Sequence, residues 1–303
     1  MTQVKGRTAF ITGGGSGVAL GQAKVFARAG CKVAIADIRQ DHLDEAMAWF
    51  EAENAKGANY EVMAVKLDIT DREAYAKVAD EVEAKLGPVE LLFNTAGVSH
   101  FGAIQDATYD DWDWQIDVNL RGVINGVRTF VPRMIERGNG GHVVNTASMS
   151  AFVALKGTGI YCTTKMAVRG LTETLALDLE EHGIGVSLLC PGAVNTNIHE
   201  ALLTRPKHLA DTGYYQAGPE MFAHLKNVIE CGMEPETLAN HVLKAVEENQ
   251  LYVLAYPEFR KPLEDIHARV MAALANPEDD PDYDRRVAHG VPGGEAKEEE
   301  KTA

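Results

Sequence analysis

Tyr161 and Lys165 stand four residues apart in the run Tyr161-Cys162-Thr163-Thr164-Lys165, and Ser148 lies thirteen residues upstream. On a helix, positions four apart share a face, so phenol and amine would be neighbours. An ammonium beside a phenol favours the phenolate, and is expected to pull the Tyr161 pKa below its ordinary value of about 10. A tyrosine tuned this way can take a proton from an alcohol near neutral pH. Such a pair arises often by chance, and a lone serine near a strand end is most often a loop hydroxyl. Their chemistry depends on what the chain places beside them.

A second group is Thr12-Gly13-Gly14-Gly15-Ser16-Gly17. Glycines here permit a tight turn and close approach of the backbone to a pyrophosphate. The helix that follows offers N–H donors and the positive end of its dipole. Asp37 ends the next strand-like run, about where a carboxylate binds the ribose hydroxyls of a dinucleotide. The same charge would repel the 2′-phosphate of NADP. Arg39 could offset it, but Ser16 in the turn adds no second cation, so NAD is the expected cofactor. Asn94-Thr95-Ala96-Gly97 are small enough to let that cofactor lie across the strand ends. Asp68 could bond the adenine amino group, or simply lead into a helix.

The elements that must position these groups alternate. Strand-like runs cover Arg7–Thr12, Lys32–Asp37, Tyr60–Asp68, Val89–Phe93, Gly141–Ala147, Ile184–Cys190 and Leu251–Ala255. Helical runs between them cover Gly17–Ala29, Asp41–Asn54, a segment capped by Thr70-Asp71-Arg72-Glu73 and stopped at Gly87-Pro88, Thr108–Arg137 as one long helix or two, and Thr158–His182. Further helices are expected after Pro235 and over Pro257–Ala275. Repeated βα units with short, continuously apolar strands predict an α/β fold, a doubly wound parallel sheet covered on both faces. Residues 1–275 read as a single domain with a helical lid insertion at 197–232, followed by an acidic, disordered tail over 276–303.

Composition narrows the function. The net charge is −15, and 276–303 holds nine acids against four bases, so the surface repels nucleic-acid backbones. No apolar run is long enough to span a membrane. Cys31, Cys162, Cys190 and Cys231 have neither metal-ligand nor disulfide-framework spacing, which suits reduced thiols in a cytoplasmic protein. The histidines show no zinc-like pairing, so no metal is expected.

Thr12-Gly13-x-x-x-Gly17, Asn94-Thr95-Ala96-Gly97, Asn119, Ser148, Tyr161-x-x-x-Lys165 and Pro191-Gly192-x-x-x-Thr196 occur in order. Over roughly residues 5–255 the chain resembles the short-chain dehydrogenase/reductase family, whose fold is of the Rossmann type. It departs at Ala19, where the family usually has glycine, and at Thr95, where it usually has asparagine. The stretches Asn94–Val98, Tyr109–Trp114, Val118–Gly126 and Leu251-Tyr252-x-x-x-Tyr256-Pro257-Glu258 are similar to the Cα-dehydrogenases of bacterial lignin β-aryl-ether breakdown. Those enzymes oxidise a benzylic secondary alcohol to an aryl ketone with NAD.

The resemblance implies that Tyr161 is the base, Lys165 lowers its pKa and bonds the nicotinamide ribose, Ser148 holds the substrate oxygen, and Asn119 holds a water for proton release. Its cofactor set is Thr12, Gly13, Gly15, Ser16, Gly17, Val18, Asp37, Asp68, Ile69, Asn94, Thr95, Ala96, Gly97, Tyr161, Lys165, Pro191, Gly192, Val194 and Thr196. Val194 and Thr196 would grip the carboxamide. His100, Phe101, Phe152, Tyr214, Tyr215 and Phe222 are candidates for an aromatic pocket wall around an aryl alcohol, although some would only pack the lid. A hydroxysteroid or other bulky secondary-alcohol dehydrogenase, and a non-catalytic dinucleotide-binding regulator, remain as alternatives. Apolar faces on Trp112–Met134 and Val168–Leu179 would suit a homodimer or homotetramer.

Overall fold

The computed structural model describes residues 2–214 and 231–288. Among them, seven strands form one parallel sheet in the order β3-β2-β1-β4-β5-β6-β7. They are β1 (Thr8–Thr12), β2 (Lys32–Asp37), β3 (Val62–Lys66), β4 (Val89–Asn94), β5 (Gly141–Thr146), β6 (Ile184–Leu189) and β7 (Tyr252–Val253). The third strand starts later than expected because the Asn54 amide bonds both the N–H and the C=O of Tyr60, drawing that residue into the preceding turn.

The helices are α1 (Gly17–Arg28), α2 (Gln40–Ala55), α3 (Arg72–Leu86), α4 (Tyr109–Ile116), α5 (Gly122–Arg137), α6 (Gly159–Asp178) and α7 (Pro235–Glu248). On one side of the sheet, Phe10, Leu92 and Val143 bury against Tyr75 and Val82 of α3 and Phe130 of α5. Phe10 and Phe130 have ring centroids 4.8 Å apart. On the other side Phe26 of α1 meets Phe93 edge-on at 4.7 Å. Each such aromatic contributes roughly 1.5–3 kcal/mol by burial. Both faces are thereby dry, which is why the strands read as unbroken apolar runs.

One helix start differs from expectation. α3 is capped by Asp71, whose carboxylate accepts from Glu73 N and Ala74 N, while Thr70 turns back to bond Asp68. The capping box instead opens α4, between Thr108 and Asp111. The long run to Arg137 is two helices joined by a π-helical turn, Asp117–Arg121, with Asn119 at its centre. Such turns often mark functional sites.

By internal contacts the chain divides into two compact units, Met1–Pro257 and Glu258–Ala303. The boundary expected at 275 falls inside the second. That unit contains α8 (Arg260–Ala272) and α9 (Tyr283–Ala288). In the first part of the segment expected to be a disordered tail, Asn276 accepts from Glu278 N and Pro277 opens a 3₁₀ turn. Its remainder, 289–303, lies outside the described residues. Of the segment expected to form a helical lid, Ile198–Thr204 and Lys207–Leu209 are 3₁₀ turns, and residues 215–230 lie outside the described residues. Among the described residues no helix is long and apolar enough to cross a membrane.

Candidate active site

The sheet winds one way from β1 through β2 to β3 and the other way from β4 to β7. A crevice forms at the carboxyl ends of the strands where that direction reverses. Thr12 ends β1 there, and its hydroxyl donates to Phe93 O while accepting from Thr95 N and Ala96 N. Thr95 in turn bonds Gln22 of α1 and Thr146 of β5. Asn94 donates to Asn145 at 2.8 Å and Asn145 to Thr172 of α6 at 3.1 Å. These buried amides tie β4 and β5 to the helix that carries Tyr161.

Ser148, Tyr161 and Lys165 converge beside this network. Ser148 follows β5, and its Oγ accepts from Ser150 N at 3.1 Å. Burial pushes the Tyr161 phenol up to about 12, and a hydrogen bond with Ser148 works against that rise. Burial also pushes the Lys165 amine down to about 8. The expectation of a lowered phenol pKa is thus corrected. The four-residue spacing brings Lys165 Nζ to 5.6 Å from the Tyr161 ring centroid, yet Nζ donates to Thr146 O at 3.2 Å. Without a closer cation, loss of water outweighs the charge. Asn119 lies alongside. Its side chain accepts from Val98 N at 2.8 Å and donates to Val98 O at 2.9 Å, so the amide expected to hold a water is occupied in fixing the loop after β4.

The residues at the end of β1 fit a dinucleotide. Gly13 and Gly17 have φ of +73° and +53°, which other residues rarely adopt. A Cβ on Gly13 would come within 2.9 Å of Ala96 Cα, so the backbone passes where a side chain cannot. Ser16 makes no side-chain cap on α1, and no acidic side chain stands in its first turn, which includes Val18. The N–H donors there remain open to an anion. Asp37 accepts from Gly15 N at 3.1 Å and from Arg39 N at 3.0 Å, and its two oxygens keep further acceptor capacity. Asp68 is exposed and bonds Thr70, the helix-leading arrangement, while Ile69 is buried with its carbonyl held by Asn125. On the far side, Met149 N donates to Pro191 O, Val194 bridges Met233, and Thr196 packs on Gly17.

Several contacts near the site escaped sequence reasoning. Tyr256 covers Gly192 and donates to Ala193 O at 3.2 Å, bracing the turn after β6. Arg205 bonds buried Asp111 at 2.7 Å and His100 Nδ1 at 3.2 Å. His100 is therefore a tether rather than an open pocket wall. No local pattern marks either contact, because the partners are far apart in sequence. Of the expected aromatic wall, Phe101 stands edge-on to Tyr161 at 5.4 Å and is partly exposed. Phe152 instead covers the Arg169 guanidinium at 4.0 Å, and Tyr214 packs against His100 and Gly102. Tyr215 and Phe222 lie outside the described residues.

The short chain dehydrogenase family model matches residues 7–207, and the chain belongs to that family. A C alpha-dehydrogenase of Sphingobium sp. (strain NBRC 103272 / SYK-6) is 44% identical over 287 residues, covering 94% of this chain and 92% of its own. The apo form of LigO from Sphingobium sp. strain SYK-6 is 54% identical with a TM-score of 0.78, covering 94% of this chain and 95% of its own. A short chain dehydrogenase/reductase from Burkholderia phymatum, solved with NAD, is 32% identical with a TM-score of 0.83, over 91% of this chain and 98% of its own. The protein is an oxidoreductase of the alcohol-dehydrogenase type with a nicotinamide cofactor.

Proposed function

We propose that this dehydrogenase oxidises a benzylic secondary alcohol to an aryl ketone with NAD, on fragments of the β-aryl-ether type. The observation that carries this is the convergence of Ser148, Tyr161 and Lys165 beside a partly exposed ring, Phe101. An aryl group next to the reacting carbon would lie against that ring. The likeness to a C alpha-dehydrogenase along nearly the whole of both chains supports the substrate class.

In this reading the phenolate of Tyr161 takes the hydroxyl proton as the alcohol carbon gives up hydrogen with its electron pair. Ser148 donates to the substrate oxygen and opposes the charge that develops there. Lys165, held by Thr146, keeps a donor near the phenol and the ribose. Asn119 fixes the wall along which the proton returns to solvent. Thr12, Gly13, Gly15, Ser16, Gly17 and Val18 would hold the pyrophosphate and Asp37 the ribose, while Asp68, turned to Thr70, and Ile69 would border the adenine. Asn94, Thr95, Ala96 and Gly97 line the floor, and Pro191, Gly192, Val194 and Thr196 hold the carboxamide. Bound there, the oxidised nicotinamide supplies the hydride acceptor and a positive charge near the phenol. The Asp37 carboxylate favours NAD over NADP.

Absorbance of the reduced nicotinamide tests the reading, using NAD or NADP with a β-aryl-ether carbinol and a hydroxysteroid. Carbinol turnover with NAD is expected. Steroid turnover alone would replace the substrate, and no turnover of any alcohol would leave a dinucleotide-binding regulator. Tyr161→Phe should lower kcat by about 10²–10⁴ while NADH still binds.

A further inference from the structure

Arg39, two residues past Asp37, is a cation that a 2′-phosphate at this corner could use. Its guanidinium is already engaged. Nε donates to Asp41 Oδ1 at 3.1 Å, Nη2 also pairs with Asp41, and Nη1 donates to Glu200 Oε2 at 2.7 Å. Glu200 comes from the 3₁₀ segment Ile198–Thr204, just past Thr196. His42 Nε2 lies 3.8 Å from the same Glu200 oxygen and 3.3 Å from Asn197 Nδ2. The corner adjoins the glycine cradle, because a Cβ on Gly15 would stand 2.8 Å from His42 Cβ and 3.0 Å from Asp37 Oδ2. A segment that follows β6 thus delivers a carboxylate to the ribose end of the nucleotide site.

We infer that Glu200 is a cofactor-selecting residue: with Asp41 it saturates Arg39, so that guanidinium is not free to meet a 2′-phosphate beside Asp37. This rests on the NAD reading and adds a second source of discrimination to it. Asp37 repels the phosphate directly, whereas Glu200 acts through Arg39 by withholding the attraction. A phosphate would have to displace a carboxylate before gaining the guanidinium fork. Glu200 and Asp41 are exposed, with side-chain accessibilities of 37% and 59%, so their pairing adds little to stability. Its consequence is selectivity.

The test is fluorescence titration of the full chain with NADH and NADPH, for the natural sequence, Asp41→Asn/Glu200→Gln, and the same pair with Arg39→Gln. Freeing Arg39 should tighten NADPH roughly tenfold and move NADH by less than about twofold. Adding Arg39→Gln should remove the gain. A merely structural role would shift both nucleotides together. An unchanged NADPH-to-NADH ratio in the double variant, or a gain that survives loss of Arg39, would overturn the inference. Preference of the natural sequence for NADPH would instead sink the NAD reading, so the two failures are separate. Thermal melting of each variant shows that the fold is kept.

Discussion

With its hydroxyl surrounded by protein, Tyr161 is held up at about 12, and Lys165 is held down at about 8. Burial disfavours the charged form of each, and the spacing that makes them neighbours does not reverse it. In the proposed reaction only the phenolate would accept a proton, so kcat/KM for alcohol oxidation at saturating oxidised nicotinamide should rise with pH. A bound oxidised nicotinamide would add a positive charge that lowers the rising limb from the value set by burial. Ser148 lowers the Tyr161 pKa by hydrogen bonding. Ser148→Ala is therefore expected to shift the rising limb to higher pH as well as to slow turnover. A pH–rate profile with an unmoved limb would contradict this coupling. The identities of the three residues are legible in the sequence, but the direction of the shift is not, because burial belongs to the assembled core.

Among the elements, α4 and the segment after β6 are joined by an ion pair that no periodicity announces. Asp111 is fully buried, and Arg205 is nearly so. Burial alone would raise the Asp111 pKa, but hydrogen bonds from Arg205 and from Thr108, Thr212 and Gly213 more than offset it, and it stays low. Arg205 also donates to Leu209 O and Asp211 O, which ties the segment after Thr204 to α4. Arg205→Met leaves a buried carboxylate short of its cation and should cost about 3–5 kcal/mol in urea unfolding. Adding Asp111→Asn to it should cost less than the sum of the two single changes. Strictly additive losses would mean that the pair is not coupled. The start of α4 was visible as the opening of a long helical run, but its capping box and its stop at Ile116 were not. Nor was its anchoring partner, 94 residues away.

Across the whole molecule, the central strands carry one group whose titration opposes folding in acid. His142 of β5 is completely buried, with Nε2 at 2.8 Å from Ser187 Oγ, and burial pushes its pKa down to about 3 from the usual 6.5. Between those values the unfolded chain binds the proton and the folded chain does not. Stability is therefore complete above pH 6.5 and falls as pH drops toward 3, by up to about 1.4 kcal/mol per pH unit from this residue. Urea unfolding from pH 7 to pH 4 should show that slope, and His142→Asn should flatten it even if the variant is weaker overall. An equal slope in both proteins would remove His142 as the cause.

The amino-acid sequence by itself determined the succession of βα units, the motif order and the family, because apolar runs, glycine turns and i, i+4 pairs are local and survive in one dimension. Tertiary structure decided which side chains meet. It set Glu200 against Arg39, Arg205 against Asp111 and Tyr256 over Gly192, and it made Phe101 rather than Phe152 the neighbour of Tyr161. Each of these contacts joins segments distant along the chain. Their geometry and the local loss of water exist only once the sheet and its covering helices are assembled.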